Sequence, residues 1–324
     1  MKVLIVGCGA VGQVYGLALQ KAGVRLGFLD KPVTAEKLVQ AREKGGLLIY
    51  QVTRQRKSDP IPYRIKDYQV IINAEESRQF EPDQIWFTTP SQVYYSDWFH
   101  EFLQQVPSKR VVCFTPEGSR PEFLTDQFGD RVVYGGTTFM AWQGDLDGGG
   151  GKPDGINFWR SPLGISLAGS QDACMEVARF LKPAGFRVML DKHGSHSQVA
   201  VTAVMTAFVS GLELADWSLR KYRKSPWLRC AADACREAVL GQIIKPGLFT
   251  RFLLSSAVLA ALFSLTSLIM PVLFPFDVEK YLKFHYTKTH KQTLLLLNLF
   301  LKDSLNRGIP VTNIQNLLDG LQTY

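Results

Sequence analysis

Residues 2–13 read KVLIVGCGAVGQ, and everything else in the chain is interpreted outward from them. The apolar, β-branched run Lys2–Val6 predicts a short strand, and Gly7-Cys8-Gly9-Ala10-Val11-Gly12 follows it at once. Val11, Val14, Tyr15, Ala18 and Leu19 then recur at helical spacing, with Gly23 suited to end the helix. Residues 24–29 predict a second strand that stops at Asp30. Strand, glycine-rich turn, helix and strand make a βαβ unit with a parallel pair. In that context G-x-G-x-x-G points to a dinucleotide. Gly7 allows the tight turn, Gly9 lets the backbone approach a pyrophosphate, and Gly12 lets helix pack closely on strand. The helix start, Ala10-Val11-Gly12, offers free N–H groups to anionic oxygens. Asp30 is placed to accept hydrogen bonds from ribose hydroxyls, which favours NAD. Lys31 beside it offers a cation to a 2′-phosphate, which favours NADP. Charge alone leaves both open.

Further strands are predicted at Gln84–Phe87, Arg110–Phe114 and 131–134, with helical segments at 96–105 and 121–127 between them. This alternation predicts a doubly wound sheet, whose ligands bind beyond the carboxyl ends of the strands. Thr88-Thr89-Pro90 and Pro116-Glu117-Gly118 occupy such ends, so Thr88, Pro90 and Glu117 are candidate cofactor contacts; simple turn chemistry is the competing explanation. After the glycine-rich loop 144–155 come strand-like runs at 156–160 and 164–168 and a helix near 173–181. From Ser197 onward the pattern is helical. The expected architecture is α/β: a Rossmann-type doubly wound domain over 1–190, followed by an all-α domain over 191–324 for substrate binding and dimerisation.

The composition fits that reading. The chain has 324 residues, 46% hydrophobic and 20% charged, which argues against disordered, collagen-like and fibrous classes. Lys and Arg total 37 and Asp and Glu 29, a net +8. Of these, 191–324 hold 15 basic and 9 acidic groups, so the excess is mostly C-terminal. Its densest part, Arg220, Lys221, Arg223, Lys224 and Arg229, is either a solvated helix end or an anion-binding surface. It is too short, and too far from any recognised module, to predict nucleic-acid binding. The 5 cysteines show no CxxC pair and no zinc-like spacing, so reduced thiols and no metal are expected. The strand pattern beginning at Lys2 leaves no room for a signal peptide, and the expected location is cytoplasmic.

Two features of the helical half carry weight. Gln198, Thr202, Thr206 and Ser210 fall four residues apart in an apolar run, and Glu213 continues that face. Such a polar stripe either back-bonds to the helix or meets a ligand. Residues 252–276 carry no charge, a length sufficient for a membrane span. Ser255, Ser256, Ser264, Thr266, Ser267, Pro271 and Pro275 argue instead for a buried helix over 252–270, used for homodimerisation, with no membrane partner.

Together these segments resemble the ketopantoate reductase family, two-domain enzymes that reduce 2-dehydropantoate with NADPH. The resemblance rests on VGCGAVGQ, on Gly135-Gly136-Thr137-Thr138-Phe139-Met140-Ala141 with the strands through Gly169, on the helix from Gln198, and on Arg307-Gly308-Ile309-Pro310-Val311. It spans nearly the whole chain. It implies that the family's catalytic lysine falls on Gln198, its two helix asparagines on Thr202 and Thr206, and its substrate-ordering glutamate on Gln292. The family's basic residue after strand two is matched by Lys31. Gln198 and Gln292 are therefore the candidate catalytic positions, with Thr202, Thr206 and Ser210 as substrate contacts. An amide can orient a carbonyl but is no ordinary proton donor, so His193, His196 and His290 are candidates for that proton. The chain is expected to be an NAD(P)H-dependent reductase of a small 2-oxo acid or related carbonyl, or else a dinucleotide-binding sensor or scaffold without catalysis.

Overall fold

In the computed structural model the described residues are 1–53, 59–114, 122–190, 196–242, 252 and 254–323, with backbone alone at 122, 123 and 196–199. They fold as two compact units, Met1–Ser195 and His196–Tyr324.

The first unit is built on an eight-stranded sheet in the order β12-β11-β8-β7-β6-β1-β2-β5. In chain order the elements are β1 (Lys2–Val6), α1 (Ala10–Lys21), β2 (Arg25–Leu29), α2 (Pro32–Glu43), β3 (Leu47–Val52), β4 (Ile61–Ile65), β5 (Tyr68–Ile71), α3 (Ala74–Phe80) and β6 (Gln84–Phe87). They continue with α4 (Asp97–Gln105), β7 (Arg110–Phe114), α5 (Glu122–Phe128), β8 (Val132–Gly136), β9 (Met140–Gln143), β10 (Ile156–Trp159), β11 (Ile165–Ala168), α6 (Gln171–Leu181) and β12 (Val188–Leu190). Strands β5, β2, β1, β6, β7 and β8 run parallel, and β11 joins β8 antiparallel.

The central strands read as unbroken apolar runs because both faces are covered. Val3 and Ile5 pack with Tyr15, Phe28 and Trp86 on one side. Leu4 and Val6, one residue out of phase, pack with Phe87, Phe99 and Phe102 on the other. Tyr15 stacks on Phe114 with ring centroids 3.9 Å apart, tying α1 to β7. From β1 the chain moves outward through β2 and β5, then returns to β6 on β1's other side. The order therefore reverses between β1 and β6. This is the topological switch point at which doubly wound folds bind ligands.

Strands β3, β4, β9 and β10 form a separate sheet in the order β4-β3-β10-β9, which the sequence pattern did not reveal. It packs beside α1.

The second unit is helical among its described residues: α7 (His196–Glu213), α8 (Leu219–Tyr222), α9 (Trp227–Leu240), α10 (Ser256–Leu273), α11 (Val278–Lys288), α12 (His290–Asn306) and α13 (Thr312–Gln322). Its centre is α7 on α9. A Cβ on Gly211 would lie 2.9 Å from the Ala231 Cβ and 3.0 Å from the Trp227 carbonyl, so this close crossing requires the glycine.

Within the single chain, helix α10 is covered on one side only. Leu259, Phe263, Ser267 and Met270 are buried. Leu265, Leu268 and Val272 are 53%, 58% and 79% exposed. The helix is long and apolar enough to cross a membrane, and only 22% of it is buried. The residues that suggested burial govern helix form: Ser267 donates back to the Ser264 carbonyl, and Pro271 sits in the last turn.

Candidate functional site

The glycine turn leaves β1 at the switch point. Gly7 has φ +92°, which an L side chain rarely adopts, and a Cβ there would lie 2.9 Å from the Thr89 methyl. Gly12 brings α1 so near the turn that a Cβ would stand 2.1 Å from the Gly7 carbonyl oxygen. Gly9 behaves differently: a Cβ there meets nothing within 4 Å. Gly9 is also the N-cap of α1, with no side-chain cap on the first-turn N–H groups. The turn thus presents open space directly in front of a helix N-terminus, where an anion is favoured.

Neighbouring residues shape this cradle. Gly7 N–H donates to the Leu29 carbonyl at 3.0 Å and Thr88 N–H to the Val6 carbonyl at 2.9 Å, locking the ends of β1, β2 and β6 together. The Thr88 hydroxyl donates to the Gly7 carbonyl. Asp30 accepts from Cys8 N–H through Oδ2 at 2.5 Å and from Lys31 N–H through Oδ1 at 2.7 Å. The sequence pattern showed Asp30 as a ribose acceptor; the structure adds that its carboxylate also holds the glycine turn. Four lone-pair sites on a carboxylate leave capacity for further donors. Thr89 Oγ1 is buried beside the turn with no partner among the described residues. Lys31 and Pro90 are exposed at the same strand ends. Glu117 lies outside the described residues. Gly7, Gly9, Ala10, Val11, Gly12, Asp30, Lys31, Thr88 and Pro90 are therefore brought to one end of the sheet. An open cradle, an uncapped helix start and a buried unpaired hydroxyl together fit a dinucleotide.

In the helical unit the polar stripe lies on the packed side of α7. Thr202, Thr206, Ser210 and Glu213 are 7%, 5%, 0% and 6% exposed. Ser210 donates back to the Thr206 carbonyl at 2.8 Å. Ser210 thus has no exposed surface and a partner within its own helix. Glu213 Oε1 pairs with His290 Nδ1 at 2.9 Å, while Oε2 is buried without a partner among the described residues. Burial pushes the Glu213 carboxyl up from its ordinary range, and His290 partly opposes that shift. The side chains of Gln198 and His196, and all of His193, lie outside the described residues.

Helix direction places Gln292. Helix α12 begins beside Glu213, through His290, and ends with Ser304 Oγ bonded to the Glu237 carbonyl near the end of α9. The start of α9 packs on Gly211, so α12 runs from the Glu213 end of α7 back toward its beginning. Glu213 is about 22 Å of helix away from position 198. Gln292 therefore accompanies Glu213 and His290, not Gln198.

Burial pushes the Cys230 thiol up to about 11 and Cys235 up to about 12, which disfavours either as a nucleophile. Among the described residues no cluster of His, Cys, Asp and Glu could hold a metal ion.

Residues 3–149 match the family model described as ketopantoate reductase PanE/ApbA. The match covers most of the first unit and just under half of the chain. No curated protein matches the sequence. Solved structures resemble the whole chain. A D-mandelate dehydrogenase with NADH aligns over 100% of this chain and 98% of its own at 16% identity and TM-score 0.70. The 2-dehydropantoate 2-reductase of Geobacter metallireducens GS-15 aligns over 100% and 99% at 13% identity and TM-score 0.69. The PanE/ApbA family ketopantoate reductase of Ralstonia eutropha JMP134 aligns over 100% and 98% at 16% identity and TM-score 0.69. At these identities the likeness establishes the fold: the PanE/ApbA-type arrangement of an α/β sheet unit and a helical unit.

Proposed function

We propose that this chain is an NAD(P)H-dependent oxidoreductase of ketopantoate-reductase type that reduces a 2-oxo acid or a related carbonyl compound. The observation that carries the reading is the Gly7–Gly12 cradle at the sheet's switch point, open at Gly9 and backed by the uncapped start of α1. The PanE/ApbA match over the same residues supports it, as does a shared fold with a D-mandelate dehydrogenase with NADH.

When bound, the dinucleotide supplies hydride. The N–H groups of Ala10, Val11 and Gly12 hold its pyrophosphate, Asp30 and Lys31 address the adenosine ribose, and Thr88, Pro90 and Glu117 line the remaining loops. On the substrate side, the Gln198 amide donates to the carbonyl oxygen, and the Thr202 and Thr206 hydroxyls orient it. Gln198 holds no titratable proton, and loss of a general acid costs about 10²–10⁴ in rate. Turnover is therefore slow with Gln198 as the only polarising group. A second reading, a dinucleotide-binding sensor or scaffold, is favoured by the amides standing where the family resemblance implies a lysine and a glutamate.

Oxidation of NADH and NADPH, followed against a panel of 2-oxo acids that includes 2-dehydropantoate, separates the two. Turnover with any carbonyl supports the reductase. Saturable dinucleotide binding with no turnover across the panel supports the sensor. Gln198→Lys is expected to raise any measured rate about tenfold or more by restoring a titratable donor.

A further inference from the structure

Helix α10 has no part in the proposed reduction, yet it is the most unusual surface of the helical unit. No charged residue occurs between Arg251 and Asp277. Its packed side is one stripe, and Leu259, Phe263, Ser267 and Met270 hold it on α8 and α9. Its outward side is wholly apolar: Leu262, Leu265, Leu268, Ile269, Val272 and Leu273 are 37% to 79% exposed. At 100° per residue these six fan over about 140° of the helix. Contiguous exposed apolar surface of this kind marks an interaction site.

Charge selects the occupant. Helix α8 packs on α10, and Arg223 Nη1 donates to the Ser267 carbonyl at 3.0 Å. Arg220, Lys221, Lys224 and Arg229 are exposed on the same segment. Among the described residues Lys221 alone of them is bridged, to Asp216 at 2.7 Å, and no acidic residue lies between Asp216 and Asp233 in the sequence. Residues 196–324 hold 14 basic and 8 acidic groups, a net +6. A second copy seated on α10 would bring two such basic collars together, and opposed like charges are costly. An anionic bilayer satisfies both parts of the surface, because lipid covers the apolar arc and headgroups neutralise the collar.

We infer that α10 and its basic collar dock the helical unit on the surface of an anionic lipid bilayer. Helix α10 lies in the interface, its outward face at the acyl boundary and its inner stripe still packed on α8 and α9.

The test uses the full chain, sedimented with vesicles of phosphatidylcholine alone or of equal phosphatidylcholine and phosphatidylglycerol, with light scattering to read its mass. Anionic vesicles are expected to bind about tenfold more tightly than neutral ones, the preference fading as salt rises. Leu268→Glu with Val272→Glu is expected to abolish sedimentation while leaving the melting temperature and dinucleotide binding unchanged, since both side chains face outward. Arg220→Gln with Lys224→Gln is expected to weaken binding to anionic vesicles only. Failure to sediment with anionic vesicles overturns the inference, and so does equal, salt-insensitive binding to both compositions. A dimer that the Leu268→Glu, Val272→Glu protein converts to monomer, with no vesicle binding, assigns the face to a second copy instead.

Discussion

Gly9 and Gly12 stand three residues apart in one turn, yet a methyl group affects them in opposite ways. At Gly12 the added Cβ would meet the Gly7 carbonyl at 2.1 Å, so Gly12→Ala is expected to cost about 1–3 kcal/mol and lower the melting temperature. Gly9 has φ −69° and ψ −169°, acceptable to any residue, and its Cβ would face open space. Gly9→Ala is therefore expected to leave stability within about 0.5 kcal/mol. It should still weaken dinucleotide binding about tenfold, because the methyl fills the space the pyrophosphate needs. Thermal melts and fluorescence titrations of the two variants read these outcomes side by side. Lys31→Ala is expected to lower affinity for NADPH and to leave NADH unchanged if its ammonium meets the 2′-phosphate; equal affinities in variant and parent assign Lys31 to solvent. At this scale the glycine turn was legible in the sequence because it is made by neighbours in the chain. Gln292 and Ser210 were not, because their surroundings depend on how α7, α9 and α12 cross.

Helices show the same division. Continuous apolar runs predicted β1, β2, β6 and β7 closely, since each buries two faces and is read locally. The sheet of β3, β4, β9 and β10 joins segments about a hundred residues apart, and its edge strand β4 is half-exposed, so no local run marks it. The cover of helix α10 was not legible, because an apolar run states what a helix avoids, not what covers it. Contacts between elements also yield predictions. Glu237 of α9, 9% exposed, accepts from the backbone N–H groups of Asn313 and Ile314 and from the Asn313 amide at 2.8–3.2 Å. It is the anion at the start of α13. Glu237→Gln is expected to lower stability by about 1–3 kcal/mol in chemical denaturation. On α11, His285 stacks against Tyr281 and meets the edge of Tyr286, and burial, with Lys288 adding, pushes its imidazole down to about 4. The unfolded chain takes up that proton near pH 6.5, before the folded one does. Stability from this group is thus complete above about pH 6.5 and lost as pH falls toward about 4. Urea midpoints across that window should fall less steeply for His285→Phe than for the parent.

Across the whole molecule, an α/β sheet unit and a helical unit were readable from a change of pattern alone. The same architecture is held by solved proteins at 13–16% identity, so the fold is kept while most particular residues differ. The candidate chemistry was less legible: the turn announces a dinucleotide, whereas the helical unit offers amides and hydroxyls whose roles depend on packing. The account stands or falls on the cradle at Gly9. Calorimetric titration of the full chain with NADH and NADPH, repeated on Gly9→Ala, tests it most directly. The account predicts saturable one-to-one binding of at least one dinucleotide to the parent and its loss in a Gly9→Ala protein that melts normally. Absence of heat with both dinucleotides, or binding undiminished in the variant, would contradict it.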